Sequence, residues 1–249
     1  MGQRLRGRYR LIRELGQGGL GIVFLARDTR RAEAGEAYPY VAIKTLHDRW
    51  QGYRAARDAL QAQALRACRI TSPHVVRVYD LDREGDDPFV AMEYVRGMDL
   101  RVAMRAGVTR ERALAWIDGI GRALHDMHAA GWVHADLKPA NVMVDTRGTI
   151  RLLDVGLTES TALTPAYATL ARRQGGLPSM KDDVYAYARV AYALLHGGRS
   201  ALGEAVTPPP DVRRHGWRVL REVLADGPGA DAVDARVLRE ALRISRPRP

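Results

Sequence analysis

Lysine is nearly absent from this chain. Of its 249 residues only Lys44, Lys138 and Lys181 are lysines, so 36 of the 39 basic residues (39 minus 3) are arginines. Cysteine is scarcer still, with Cys68 alone, which excludes an internal disulfide and a cysteine-built zinc site and agrees with a reducing compartment. In its helical surroundings Cys68 is expected to act as buried apolar filler. No apolar run reaches the roughly 18 residues that a membrane span requires, because Arg, Asp or Glu interrupts each one. No hydrophobic h-region follows the basic start from Met1 to Arg10, and Arg6 stands where a myristoylation signal would place Ser or Thr. These absences lead to the expectation of a cytoplasmic, unanchored protein with no membrane partner.

What is present fits a soluble globular protein: 46% hydrophobic and 27% charged residues, proportions that leave little room for extended disorder. A chain of this length buries a sizeable core as one large domain or as one domain in two lobes. The net charge of +10 (39 minus 29) attracts acidic partners in principle. The arginines are nevertheless spread along the whole sequence rather than gathered in runs, so nucleic acid is not an expected partner.

Residue patterning divides the chain near residue 95. Before it, Tyr9 to Leu15, Gly21 to Arg27 and Tyr40 to Leu46 read as strands rich in β-branched and aromatic residues. Val75 to Asp80 and Phe89 to Tyr94 alternate similarly and are joined by an acidic turn from Glu84 to Asp87. Between these groups, Arg54 to Ile70 lacks Pro and Gly, carries Ala and Leu at helical spacing, and stops at Ser72-Pro73. After Arg96 the character is helical. Thr109 offers an N-cap to a helix that closes at Ala130-Gly131. Asp183 to His196 is too apolar for a surface helix, and short helices are predicted around Val212 to Leu224 and Ala232 to Leu242. The chain contains no internal repeat. The expected organisation is α+β: a β-rich small lobe over 1–95 and a mainly helical larger lobe over 96–249.

Two of the three lysines stand in chemically suggestive strings. An ammonium is a compact point charge that follows phosphate oxygens, whereas guanidinium is a planar fork suited to fixed bidentate pairing. Retaining lysine where arginine has otherwise taken over therefore points to phosphate chemistry. Lys44 ends Val41-Ala42-Ile43-Lys44, about twenty residues after Gly16-Gln17-Gly18-Gly19-Leu20-Gly21-Ile22-Val23. The glycine string alone also fits a plain hairpin or the opening of a dinucleotide fold. A dinucleotide fingerprint runs from strand into helix, but Ile22 to Ala26 is apolar and β-branched, so these glycines join two strands. Lys138 lies in His134-Ala135-Asp136-Leu137-Lys138-Pro139-Ala140-Asn141, followed by Asp154-Val155-Gly156. This spacing supplies one acid to take a hydroxyl proton, and an amide with a second acid to hold Mg²⁺ on phosphates.

With these motifs combined, residues 8 to 200 resemble the eukaryotic-like serine/threonine protein kinases of bacteria. The resemblance implies a two-lobed kinase-like fold, ATP and Mg²⁺ as cofactors, and a protein substrate bearing Ser or Thr. It assigns Asp136 as catalytic base and Lys138 as the group that neutralises the transferring phosphoryl. Asn141 and Asp154 become Mg²⁺ ligands. Lys44 would contact the α and β phosphates beneath the loop of Gly16, Gly18 and Gly21. Met92, Glu93 and Val95 match gatekeeper and hinge, with Val23, Ala42 and Met143 as apolar walls for adenine. Thr164-Pro165-Ala166-Tyr167 matches the substrate-proximal end of an activation segment, and Asp183-Val184-Tyr185 the start of the helix that anchors the catalytic loop.

The chain departs from the family pattern at four places. No glutamate occurs between Glu36 and Glu84, so the acid that active members pair with the strand lysine is replaced, by helical register, with Gln63. A neutral acceptor gives about half the strength of a charge-assisted bond. Ala135 replaces the arginine that reads a phosphorylated activation loop, and only Leu157 to Leu163 separate Gly156 from Thr164. Those two departures together imply a kinase not switched by loop phosphorylation. Val155 stands for the usual phenylalanine, and Leu170-Ala171 for the usual Pro-Glu. Three readings follow: an active protein serine/threonine kinase, a nucleotide-binding pseudokinase serving as scaffold or allosteric partner, and a kinase for a small hydroxylated molecule.

Overall fold

A computed structural model describes residues 2–154, 164–198 and 206–243. The chain divides into two compact units, Met1–Thr71 with Val76–Tyr94, and Ser72–Val75 with Val95–Pro249.

The first unit is built on an antiparallel sheet. Its strands are β1 (Arg4–Leu5), β2 (Tyr9–Gln17), β3 (Gly21–Asp28), β4 (Tyr40–Leu46), β5 (Val78–Glu84) and β6 (Asp87–Glu93), ordered β1-β2-β3-β4-β6-β5. Helix α1 (Thr29–Glu33) follows β3 and α2 (Arg54–Ala67) follows β4. The alternation of β4 decides where each of its side chains goes. Val41 and Ile43 enter a cluster with Leu5, Tyr9, Ala26, Phe89 and Ala91. Leu46 points the other way, into a second cluster with Ala56, Leu60 and Ala64 of α2 and Val90 of β6. The buried positions of α2 are Ala56, Leu60, Gln63, Ala64 and Ala67, the spacing of one helical stripe. Lys44 shares the face of Leu46 and so lies on the side that α2 covers.

A polar knot fastens one edge of this unit. Asp28 is 1% exposed and accepts from Arg8 Nε at 3.0 Å and Arg8 Nη2 at 2.7 Å. It also caps α1, accepting from the backbone N–H of Arg30 and Arg31. Burial opposes its charge, but the Arg8 hydrogen bonds and the two backbone donors outweigh burial and hold its pKa below the ordinary aspartate value.

The second unit carries a small antiparallel sheet of β7 (Gly97–Asp99), β8 (Val142–Asp145) and β9 (Ile150–Leu152). Its helices are α3 (Leu100–Arg105), α4 (Arg110–Ala129), α5 (Leu170–Arg173), α6 (Met180–Leu195), α7 (Arg214–Leu224) and α8 (Ala235–Arg243). The centre is α6, whose turns from Asp183 to Leu195 are buried except at Arg189. Such a helix is apolar nearly all round because neighbours enclose it. Helix α4 tolerates a mid-helix glycine beside it, at a propensity cost of about 1 kcal/mol relative to alanine. A Cβ on Gly121 would lie 2.7 Å from Tyr187 Oη, and Tyr187 donates that hydroxyl to Ile117 O at 2.9 Å.

Three expectations need correction. Cys68 is exposed rather than buried, because it is the C-cap residue of α2 and falls one position beyond the buried stripe that ends at Ala67. The strand expected over Val75 to Asp80 is β5, shifted to Val78–Glu84, since Ser72–Val75 belongs to the second unit and Val75 bridges Leu152 there. Helix α6 begins at Met180, three residues before the predicted start, where Ser179 and Asp182 form a reciprocal capping box.

Candidate active site

The nucleotide-facing residues expected in the first unit sit on one sheet face. Val23 pairs with Lys44, and Ala42 with Met92, so directly opposed side chains of β3, β4 and β6 project together. Lys44 is 7% exposed and donates from Nζ to Gln63 Oε1 at 3.1 Å, with Gln63 itself 6% exposed. The amide of Gln63 thus fills the position of the missing acid. Its Nε2 has no hydrogen-bond partner among the described residues, which is the cost of using an amide where a carboxylate would present only acceptors. Glu93 closes β6, and Val95, which opens the second stretch of the other unit, is buried.

The turn between β2 and β3 contains glycines of two kinds. A Cβ on Gly21 would collide with the backbone carbonyl of Thr45, so the neighbouring strand alone demands glycine there. At Gly16 a Cβ would meet nothing within 4 Å, and at Gly18 only Gly21 O at 4.0 Å. Side-chain packing therefore does not demand glycine at these two positions.

In the second unit the residues of the His134–Asn141 string converge on one carboxylate. Lys138 Nζ donates to Asp136 Oδ2 at 2.7 Å and to Thr164 Oγ1 at 3.1 Å. Asn141 Nδ2 donates to Asp136 O at 2.8 Å and to Oδ2 at 3.0 Å. Thr164 Oγ1 approaches Asp136 Oδ1 at 3.5 Å, which ties residue 164 to the loop. A pocket beside Asp136 is lined by Leu137, Thr164, Tyr167, Arg172 and Ala186. The loop backbone is held from below by Asp183, 1% exposed, which accepts from His134 N at 2.7 Å, Ala135 N at 2.9 Å and His128 Nε2 at 2.9 Å. Three donors on one buried carboxylate fix the turn that presents Asp136. Ala135 sits within it at φ +71°, a left-handed conformation that costs a residue with a Cβ about 1–2 kcal/mol.

The expected metal ligands lie at one end of the β8–β9 ladder. Val142 pairs with Leu152, and Leu153 N donates to Asn141 O at 2.8 Å, which brings residues 141 and 154 onto adjacent chain segments. Asn141 commits its Nδ2 to Asp136, leaving Oδ1, a hard oxygen, facing outward from that contact. Asp154 adopts φ +54°, which aspartate tolerates better than most residues. Among the described residues no group of three or more His, Cys, Asp or Glu is arranged around a metal position. Two oxygen ligands suit Mg²⁺, which completes its shell from phosphates and water. Met143 is half-buried on β8. Val155 and Gly156, and the segment Leu157 to Leu163, lie outside the described residues.

The altered segment at Leu170-Ala171 has its own anchors. Thr169 Oγ1 donates to Asp182 Oδ1 at 2.5 Å and Leu170 N donates to Asp226 Oδ2 at 3.0 Å. Hydrogen bonds to two aspartates thus fasten the start of α5. No residue pattern signals these contacts or the bridge that Thr164 makes.

A six-stranded antiparallel unit with a buried lysine, and a helical unit with a lysine-supported carboxylate, define the protein-kinase type of fold. The family model for the protein kinase domain matches residues 9–176. The chain belongs to this family, and to its bacterial serine/threonine branch. It is 31% identical to the serine/threonine-protein kinase PrkC of Bacillus subtilis, over 83% of this chain and 34% of the relative. It is 30% identical to the serine/threonine-protein kinase PknA of Mycobacterium tuberculosis, over 99% of this chain and 65% of the relative. The chain thus spans about a third of the length of PrkC and of several further kinases that it matches. A crystal structure of the PknI kinase domain of M. tuberculosis superposes with a TM-score of 0.75 at 27% identity, covering 98% of this chain and 97% of that one.

Proposed function

We propose that this domain transfers the terminal phosphoryl group of ATP to a serine or threonine hydroxyl of a protein substrate, with Mg²⁺ as the assisting cation. One observation carries the reading: Asp136, Lys138, Asn141 and Thr164 form a single hydrogen-bonded cluster. Asp136 would take the hydroxyl proton as the oxygen attacks phosphorus and the bond to the departing ADP oxygen breaks. Lys138, already beside that carboxylate, would offset negative charge on the transferring group. Asn141 and Asp154 would hold Mg²⁺, which supplies charge neutralisation across the phosphates. Lys44 would contact the α and β phosphates, while Val23, Ala42, Met92 and Glu93 of the first unit would receive adenine. The dependence on ATP, together with the single cysteine, supports a cytoplasmic setting. No helix among the described residues is long and apolar enough to cross a membrane.

The test combines the protein with Mg²⁺, γ-labelled ATP and a generic protein substrate, beside the variant Asp136→Asn. Label transfer should fall by about 10² to 10⁴ in the variant while ATP binding persists. Unchanged turnover would remove Asp136 from the mechanism. Binding of ATP by the natural protein without any transfer would instead support the pseudokinase reading, which the neutral Lys44–Gln63 contact favours.

A further inference from the structure

We propose that the connector between β4 and α2 is a clamp that positions the glycine turn for phosphate binding, with His47 and Trp50 as positioning residues. The inference rests on the nucleotide-binding reading above and adds to it a part of the chain that no motif marks. Three side chains of the connector reach two consecutive carbonyls of the turn. His47 Nε2 lies 3.0 Å from Gly18 O, Trp50 Nε1 donates to Gly19 O at 3.0 Å, and Arg49 Nη2 donates to the same oxygen at 3.3 Å. The contact to Gly18 sets the imidazole tautomer, since a carbonyl oxygen only accepts and Nε2 must carry the proton.

The clamp is itself braced. His47 N donates to Leu20 O at 3.2 Å, adding one rung beyond the last β3–β4 pair, Gly21 with Leu46. Residues Asp48–Trp50 form a 3₁₀ turn closed by Trp50 N donating to His47 O at 2.8 Å. The indole stands edge-on to Tyr53, with ring centroids 5.9 Å apart, and the Arg49 guanidinium lies over it at 5.5 Å. Trp50 is 37% exposed, so its burial contributes little to the core and its N–H is the feature that the fold places.

The consequence for phosphates follows from peptide geometry. In a trans peptide the carbonyl of one residue and the N–H of the next point in opposite directions, and the described chain has no cis bond. Holding the Gly18 and Gly19 carbonyls against the connector therefore turns the N–H groups of Gly19 and Leu20 to the opposite side of the turn. No backbone carbonyl among the described residues accepts from either. The turn is also closed internally by Gly18 N donating to Gly21 O at 2.8 Å. Glycine at 18 and 19, which packing alone would not require, lets these amides approach a polyanion without a Cβ between. A flexible glycine turn otherwise loses conformational entropy when phosphate binds, and a clamp formed beforehand reduces that loss.

The experiment compares the natural protein with His47→Ala/Trp50→Phe, which leaves Arg49 and an aromatic ring beside Tyr53 in place so that charge near the turn is kept. Dissociation constants are measured for ATP with Mg²⁺ and for adenosine, which carries no phosphate. The expected result is about fivefold weaker ATP binding with adenosine unchanged, a size set by two partly exposed hydrogen bonds. The KM for ATP should rise similarly with kcat altered less. Equal ATP affinity in the two proteins overturns the clamp, and so does an equal loss for ATP and adenosine, which would report a damaged fold. Failure of the natural protein to bind ATP would sink the nucleotide reading instead. In that case hydrogen exchange decides the clamp: the Gly18 amide should exchange faster in the double variant, and identical protection overturns it.

Discussion

Replacing Gln63 by glutamate should stabilise the first unit and raise activity, and the structure sets the scale. At present a buried ammonium meets a neutral acceptor at 3.1 Å, a bond to a charged group worth about 1.5–3 kcal/mol. The same amide leaves Nε2 buried without a partner, at a cost of about 1–3 kcal/mol. In Gln63→Glu the contact becomes charge-assisted from both sides, toward the upper end of about 1.5–3 kcal/mol, and the orphan donor disappears. Against this stands desolvation of a carboxylate at a position 6% exposed, several kcal/mol if the charge were unpaired. The Lys44 ammonium is already desolvated, so the variant adds one buried charge beside an existing opposite one. The expected net gain is about 1 kcal/mol, equivalent to about 2–4 °C in Tm for a chain of this size. If placement of Lys44 limits turnover, kcat/KM should rise by up to about tenfold, the equivalent of 1.36 kcal/mol. A nucleotide-free melt and steady-state kinetics on the same preparation read both quantities. The sign with pH is also fixed: Lys44 should depress the introduced carboxyl's pKa. The added stability should be present above about pH 4.3 and lost as pH falls through the lower folded value. A lower Tm at pH 7 together with lost activity would refute the reasoning, since it would mean that Lys44 does not face residue 63 closely enough to compensate the new charge.

How legible the protein was depends on how local each feature is. The strand alternation of Tyr40–Leu46 and the helical stripe of Arg54–Ala67 are plain in the sequence, whereas Gln63 opposite Lys44 follows from the family resemblance and from the lack of any glutamate between Glu36 and Glu84. Short elements were not legible. Strands β7, β8 and β9 span three or four residues each, too few for an alternating pattern to stand out from a loop. Helix α1 buries no residue, so it carries no apolar periodicity at all. The shift of β5 has a different origin, since Val75 serves a parallel bridge to Leu152 in the other unit and lends its apolar character to a stretch that is not this strand. At the site, Asp136, Lys138 and Asn141 were readable because a single tight loop sets their spacing. Thr164 and Asp183 reach the same loop from 28 and 49 residues away, and the connector reaches the glycine turn across about 30. Contacts at such separations arise from packing: the family resemblance marks Thr164 and Asp183 but not the atoms they bond, and nothing in the sequence marks Trp50.

Three further outcomes are expected. Asp28→Asn should destabilise the first unit by about 2–3 kcal/mol at pH 7, because Arg8 loses its charged acceptor and the cap of α1 weakens. The natural protein's advantage over this variant in denaturant melts should shrink as pH falls, since a depressed aspartate pKa contributes stability above about pH 3.9 and loses it as pH falls through the lower folded value. Ala135→Gly should raise Tm by about 2–4 °C by relieving the left-handed backbone at φ +71°, and an unchanged or lower Tm would mean that the three bonds to Asp183 already absorb that strain. The last outcome concerns regulation. A phosphorylated activation loop acts by giving a cationic side chain a partner that orders the catalytic loop, and here the residue before Asp136 is alanine, which offers no side-chain donor. The ordering is done instead by Asp183 on two backbone amides and His128, and by Lys138 bridging Asp136 to Thr164. Replacing Thr158, Ser160 and Thr161 together by alanine should therefore leave turnover within about twofold, with phosphatase treatment of the natural protein equally silent. A drop of tenfold or more in the triple variant, restored by acidic residues at the same positions, would show that a loop phosphate finds a cationic partner elsewhere and that this kinase domain is switched after all.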